Sequence, residues 1–129
     1  KDAGTGIHSI LPVILNTILL NNKILTFQEP ERSLHPKNQI RMADMFVEIS
    51  NSEKSKNKFI IETHSEYLVY RFMKLVRDQK ISNTRLSFNY VYKTDDGSKI
   101  VNLRMDENGK FLDKWPQGFF TERFEVFKK

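Results

Sequence analysis

Two short apolar segments, each flanked by helical patterns and each followed by polar residues, most constrain how this chain can fold. They read KILTF (residues 23–27) and KFIIE (residues 58–62), and each carries consecutive apolar residues, as parallel strands covered on both faces do. Apolar residues at helical spacing precede the first segment, separate the two and follow the second. This alternation predicts an α/β domain with a mainly parallel sheet and helices on its faces.

The three predicted helices each carry an apolar stripe. Pro12 is tolerated only in the first turn, so we expect Ser9 as the N-cap of the first helix. The second is expected to begin at Pro36 or Lys37, and the third to follow THSE and end near Gln79. The residues expected to face inward are, in chain order, Ile7, Ile10, Leu11, Ile14, Leu15, Ile18 and Leu19; Ile40, Ala43, Phe46 or Val47, and Ser50; and Leu68, Phe72, Leu75 and Val76.

The last third of the chain has a different pattern. RLSFNYVYK (85–93) and KIVNLRM (99–105) predict two strands joined around TDDGS, with Gly97 at a positive φ. We expect an antiparallel hairpin at the edge of the sheet, then a turn at DENGK and a short amphipathic helix in residues 115–129. Trp115, Phe119 and Phe120 are expected as a hydrophobic lid. With no linker between these parts, one domain over residues 1–129 is predicted.

Composition excludes several classes of protein. The chain of 129 residues has no cysteine, which rules out disulfides, thiolate metal clusters and cysteine nucleophiles and favours a reducing, cytoplasmic location. The net charge of +5 suits weak attraction to nucleic acid or phosphate, but a solvated basic surface is the favoured explanation. The longest apolar run, residues 10–20, is too short to span a bilayer, so no membrane partner is expected.

Polar clusters follow both predicted strands. Gln28, Glu29 and Glu31 come after the first, and the second is followed by Glu62, Thr63, His64 and Ser65. Parallel sheets bind ligands beyond the carboxyl ends of their strands. If the strands are neighbours, carboxylates and an imidazole converge there, which suits a magnesium-bound phosphate and a water that needs a base. The alternative is two capping turns with solvated charges.

A glycine-bearing stretch, DAGTG, precedes the first helix. It contains Asp2, Gly4 and Gly6 and presents backbone N–H groups at a helix N-terminus, where an anion is favoured. Glycines also simply make turns, so this stretch supports a phosphate-binding interpretation only in combination with the two polar clusters.

Together these motifs resemble the C-terminal lobe of ABC-type ATPases of the SMC, RecF and OLD (overcoming lysogenisation defect) group among AAA-family predicted ATPases. ILTFQEPERSLHP (24–36) resembles their Walker B strand and D-loop, and FIIETHSEYLV, within residues 58–79, their switch-histidine strand and helix. DAGTGIHSILPVI, within residues 1–20, is similar to their signature motif and helix. WPQGFF, in the C-terminal part (86–129), resembles the end of a subgroup with a C-terminal domain of unknown function.

The resemblance implies roles for single residues. Glu29 would position or deprotonate the attacking water and His64 would hydrogen-bond the γ-phosphate. Gln28 stands where the family usually has an aspartate that holds magnesium through water. Asp2, Gly4 and Gly6 would contact nucleotide bound to a second subunit. The expected supporting residues are Glu31, His35, Glu62, Thr63 and Ser65; of these, His35 is expected to cap its turn, and Glu31 and Glu62 are hydrogen-bond partners or surface charges.

The resemblance also implies what else the active protein contains. No G-x-x-x-x-G-K-[ST] loop occurs in the 129 residues, so the chain is expected to be a partial P-loop NTPase fold whose Walker A lobe lies upstream. Mg²⁺ and ATP would be cofactors of the full-length protein, which would form a homodimer around ATP and act with DNA or an effector protein, in DNA maintenance or anti-phage defence. The isolated chain is expected to be inactive.

Two other functions fit parts of the pattern. Gln28 and the missing Walker A loop are compatible with a dimerisation or partner-binding module that does not hydrolyse ATP. A metal-dependent nuclease built on Glu29, Glu31, Glu62 and His64 is a third possibility, but the spacing of these residues fits the ATPase pattern better.

Overall fold

A computed structural model describes residues 5–114 of the chain. Its elements are, in order, α1 (Thr5–Leu19), β1 (Ile24–Gln28), α2 (Pro36–Asn51), β2 (Lys58–Glu62), α3 (Glu66–Arg77), a 3₁₀ helix (Asn83–Arg85), β3 (Phe88–Thr94) and β4 (Gly97–Leu103). This order confirms the predicted α/β alternation and the following hairpin. The amphipathic helix and the aromatic lid (Trp115, Phe119 and Phe120) predicted for residues 115–129 lie outside the described residues. The described chain divides into two compact units between Phe72 and Met73.

In the first unit, β1 and β2 form a two-stranded parallel sheet. Ile24 pairs with Lys58 at one end of the register and Gln28 with Glu62 at the other. Phe46 of α2 packs against the sheet, with its ring centroid 5.7 Å from that of Phe27 and 5.0 Å from that of Phe59. The other buried apolar residues of this unit include Met42, Ala43, Val47, Leu68, Val69 and Phe72. The core faces predicted for α2 and for this part of α3 are therefore largely confirmed.

The parallel strands are covered on one face, whereas the sequence predicted both. Leu25 and Phe27 of β1 are half-buried, while Ile24 is 66% exposed and Ile60 of β2 is 61% exposed. Apolar side chains on both faces indicate that each face can be buried, but they do not show where the covering element comes from. Within the described residues, one face of this sheet remains open.

Helix α1 differs most from its prediction. It begins at Thr5, so Ser9 is not its N-cap, and Pro12 lies inside the helix. The buried residues are Val13 and Thr17, not the predicted stripe. The exposed members of the predicted stripe are Ile7, Leu11, Leu15, Ile18 and Leu19. Because α1 is apolar on most of its circumference, periodicity alone could not select the buried face.

Replacing Pro12 by alanine is expected to stabilise the protein. Pro12 has no N–H to donate to the carbonyl of His8 one turn earlier, and proline inside a helix costs about 3 kcal/mol relative to alanine. Since the helix already accommodates the ring, we expect Pro12→Ala to raise the free energy of unfolding by about 1–3 kcal/mol. Thermal unfolding followed by circular dichroism measures this change, and an unchanged or lower Tm would contradict it.

Asn57, the residue before β2, forms hydrogen bonds to the residues at the end of α1 and at the start of β1. Asn57 is only 4% exposed, and its Oδ1 accepts a hydrogen bond from the N–H of Lys23 at 3.0 Å. Its Nδ2 donates to the carbonyl of Leu20 at 2.6 Å and, more weakly, to that of Thr17 at 3.5 Å. Asn57 thus pairs backbone groups left over at the end of α1 and the start of β1.

Asn57→Ala is expected to lower the free energy of unfolding by about 1–3 kcal/mol, because the partly buried N–H of Lys23 and carbonyl of Leu20 lose the side chain of the buried Asn57 as their partner. Urea unfolding measures the loss. Asn38→Ala, at an exposed position in the first turn of α2, is the control and should change stability by less than about 0.5 kcal/mol. Equal effects of the two substitutions would contradict the bridging role of Asn57.

In the second unit, β3 and β4 form an antiparallel hairpin, with Phe88 opposite Leu103 and Thr94 opposite Gly97. Gly97 has φ +122°, which confirms the predicted positive φ. The hairpin is a sheet of its own, however, and not the edge of the parallel sheet as predicted. The two strands pair with each other along their full length. A local turn sets that pairing irrespective of any other strand.

Candidate functional site

The carboxyl ends of β1 and β2 lie side by side. Gln28 is paired with Glu62 in the register, and the N–H of Glu29 extends the ladder by donating to the carbonyl of Glu62 at 2.8 Å. The side chains of Gln28 and Glu62 are exposed. The parallel register therefore brings the polar residues that follow both strands to one edge of the sheet.

Glu29 turns the chain out of β1 and lies opposite His64. Its φ is +43°, a conformation that residues with a side chain seldom adopt. Its Oε1 lies 3.6 Å from Nε2 of His64, and the two side chains are 35% and 72% exposed, respectively. A carboxylate and an imidazole thus face each other at the strand ends, and both remain accessible to a bound molecule.

Glu31 is a buried carboxylate that joins the two polar clusters. It is 6% exposed, and its Oε1 accepts hydrogen bonds from Oγ1 of Thr63 at 2.5 Å and from the N–H of His64 at 3.2 Å. Its Oε2 is buried with no hydrogen-bond partner among the described residues. Glu31 is therefore a hydrogen-bond partner of the loop after β2, whereas Glu62 is exposed at the strand end.

Ser65 starts α3 and connects it to α2. Its Oγ accepts a hydrogen bond from the N–H of Leu68 at 3.1 Å, as an N-cap does, and donates to Oε1 of Gln39 at 2.5 Å. Nε2 of Gln39 donates to the carbonyl of Leu34 at 2.9 Å. Gln39 was not predicted as a site residue, and the available signal was a polar side chain in the first turn of α2, just after the LHP sequence.

His35 caps a helix. Its Nδ1 accepts a hydrogen bond from the N–H of Lys37 at 3.3 Å, and Pro36 occupies the first position of α2. This arrangement agrees with the capping interpretation and lies outside the Glu29–His64 pair. His8, by contrast, lies exposed on α1.

The glycine-bearing stretch is described only in part. Asp2 and Gly4 lie outside the described residues, and Gly6 lies in the first turn of α1. A Cβ at Gly6 would stand 3.1 Å from the carbonyl oxygen of Ser33 and 3.3 Å from Cδ2 of Leu34. Gly6 therefore packs closely against the segment after β1, which is a structural reason for glycine there. Contact of these residues with nucleotide stays a prediction.

The oxygen donors at the strand ends suit magnesium only as part of a larger set. Residues 5–114 contain no group of three or more His, Cys, Asp or Glu side chains placed to hold a metal ion. Gln28 and Glu29 offer one amide oxygen and one carboxylate. Magnesium bound chiefly by phosphate oxygens and water needs no more than this, whereas the nuclease alternative needs a protein-built metal site.

None of the helices between residues 5 and 114 combines the length and the apolarity that a bilayer span requires.

Comparison with known proteins supports one family. A family model described as AAA ATPase domain matches residues 1–69, which include every candidate site residue named above. No curated protein and no solved structure matches the chain. The matched region covers more than half of the 129 residues and contains the strand ends that bring Glu29 and His64 together. The chain therefore belongs to the AAA ATPase domain family.

Proposed function

We propose that this chain is the C-terminal lobe of an ATP-binding and ATP-hydrolysing enzyme of the ABC type, in the SMC, RecF and OLD group. The observation that carries the proposal is the pair formed by Oε1 of Glu29 and Nε2 of His64, 3.6 Å apart at the ends of two adjacent parallel strands. This edge of a parallel sheet is where such folds bind phosphates. Membership in the AAA ATPase domain family supports an ATPase-related function.

Each residue of the pair has a distinct role in this proposal. Glu29 orients the attacking water and accepts its proton, and His64 donates a hydrogen bond to the γ-phosphate. Gln28, exposed beside them, would hold a magnesium ion through water. When bound, magnesium would neutralise the charge that develops on the phosphate oxygens.

The exposed apolar surfaces of the first unit support the proposal that further chain completes the fold. One face of the parallel sheet is open at Ile24 and Ile60, and α1 exposes an apolar stripe. An upstream lobe with the Walker A loop would cover such surfaces and hold the β- and γ-phosphates. Asp2, Gly4 and Gly6 would then cap the nucleotide of a second subunit, in a homodimer formed around ATP.

One observation favours a second candidate, a dimerisation or partner-binding module that does not hydrolyse ATP. Gln28 is a neutral amide where the family's magnesium-binding aspartate is expected, and an amide oxygen holds a metal-bound water more weakly than a carboxylate does. In both candidates the process proposed is DNA maintenance or anti-phage defence, in the cytoplasm and with DNA or an effector protein as partner.

Phosphate release from ATP by the full-length protein separates the two candidates. We expect turnover that requires magnesium, and none from residues 1–129 alone. The assay is run with and without DNA, because a net charge of +5 favours contact with nucleic acid. Absence of turnover by the full-length protein under both conditions would reject the enzyme in favour of the module.

A further inference from the structure

We propose that Glu31 is a positioning residue that holds the loop carrying His64 against the segment that follows β1, and thereby sets the distance between Glu29 and His64. The catalytic part of this inference rests on the proposed ATPase function, whereas the contact itself does not.

A single carboxylate oxygen makes the connection. Oε1 of Glu31 accepts hydrogen bonds from the side chain of Thr63 and from the main-chain N–H of His64. Glu31 lies two residues after Glu29, so the same short segment carries both the carboxylate that faces His64 and the one that holds its backbone.

A second contact holds the other end of the loop. Oγ1 of Thr63 also accepts a hydrogen bond from the N–H of Ser65 at 3.0 Å, which makes residues 63–65 a tight turn. Ser65 is bonded to Gln39, which in turn is bonded to the carbonyl of Leu34. Hydrogen bonds thus connect the loop after β2 to the segment after β1 at two places. One is Glu31, and the other is Leu34, which is reached through Gln39.

Among residues 5–114, the imidazole of His64 has no comparable hydrogen bond of its own. Its side chain is 72% exposed, and its Nε2 lies 3.6 Å from Glu29, which is longer than a good hydrogen bond. The position of the ring therefore depends on the backbone of residues 63–65, and Glu31 is the buried side chain that binds this backbone at residue 64.

The test compares variants of the full-length protein in ATP hydrolysis. Glu31→Ala removes the acceptor, and we expect kcat to fall about 10–100-fold, the range that corresponds to leaving a hydrogen-bond donor without its acceptor. KM for ATP should change less than about threefold, because in this proposal the buried Glu31 acts on the hydrolytic step and does not contact the nucleotide. Glu31→Gln keeps an acceptor oxygen in the same place and should restore most of kcat. Glu48→Ala, an exposed position on α2, is the control.

Hydrogen exchange of the His64 amide tests the contact without relying on ATP hydrolysis. In Glu31→Ala this amide should exchange at least about 10-fold faster than in the unaltered protein, while amides inside β2 keep their rates. Glu31→Gln should keep the slow exchange. If the unaltered protein does not hydrolyse ATP, the proposed function fails, and the exchange rates still decide whether Glu31 holds the loop.

Three outcomes overturn the inference. Unchanged kcat and unchanged His64 exchange in Glu31→Ala show that Glu31 does not hold the loop. A loss in Glu31→Gln as large as in Glu31→Ala shows that the charge matters and the acceptor position does not. If Glu31→Ala does not fold, the pair Thr63→Val and Thr63→Ser replaces it: only Val, which lacks the hydroxyl, should lower kcat and speed His64 exchange, and equal values for the two contradict the proposal.

Discussion

Glu29→Gln in the full-length protein is expected to lower the rate of ATP hydrolysis by about 10²–10⁴-fold, the usual contribution of a general base, while ATP binding is retained. Glutamine has nearly the size of glutamate and fits the same position at the end of β1, but it cannot accept the proton of the attacking water. ATP should therefore remain bound without being hydrolysed, and the proposed homodimer should persist in its presence. Turnover is measured by phosphate release, ATP affinity by titration calorimetry, and dimer mass by light scattering.

Glu53→Gln is the matched control for this prediction. It makes the same chemical change at an exposed position of the loop that precedes β2, at the opposite end of the strand from Glu62. Its turnover should equal that of the unaltered protein. If Glu29→Gln also leaves turnover unchanged, Glu29 is not the base, and if it abolishes ATP binding, the carboxylate serves binding and not hydrolysis.

Gly109→Ala is expected to destabilise the second unit by about 4 kcal/mol or more, an exceptionally large loss that we attribute to a clash with backbone atoms. Gly109 has φ +72°, and a Cβ there would lie 2.1 Å from the carbonyl oxygen of Met73 in α3. The turn cannot easily change its conformation, because Oδ1 of Asp106 accepts hydrogen bonds from the N–H groups of Asn108 and Lys110 at 2.9 Å and 2.8 Å. Either the turn or the helix must shift to make room.

Comparison with Gly97→Ala separates the destabilisation caused by the steric clash from that caused by backbone strain. Gly97 also has a positive φ, +122°, but a Cβ there would meet nothing within 4 Å. It should cost only the strain of the conformation, about 1–3 kcal/mol. Urea unfolding of both variants measures the difference. Equal losses would show that the close approach of Gly109 to α3 adds nothing.

The parts of the fold that the sequence predicted well have local chemical causes. Helix α2 begins at Pro36 because His35 caps it and proline suits the first helical position. The bounds of β2, Lys58–Glu62, follow from polar residues on either side of a short apolar run. The meeting of Glu29 and His64 was predictable from the rule that ligands bind beyond the carboxyl ends of neighbouring parallel strands, with the parallel pairing itself inferred from the alternation of helices and strands.

The parts that the sequence did not predict depend on what each surface meets. Both faces of β1 and most of α1 are apolar, and apolarity alone does not show which side is covered in the described chain. The bridging role of Gln39 and the close packing of Gly6 against Ser33 arise from contacts between elements that no local pattern encodes. The sequence of the turn predicts the hairpin, but it does not predict that the hairpin forms a sheet of its own.

A double-mutant cycle on ATP turnover tests most directly the central claim that Glu29 and His64 act on the same nucleotide. Turnover is measured for the full-length protein, Glu29→Gln, His64→Ala and the double variant. Groups that act as one unit are not additive, so we predict that each single substitution removes most of the turnover and that the double variant is hardly slower than the slower single one. Single losses that multiply in the double variant, or no loss in either single variant, would contradict the account.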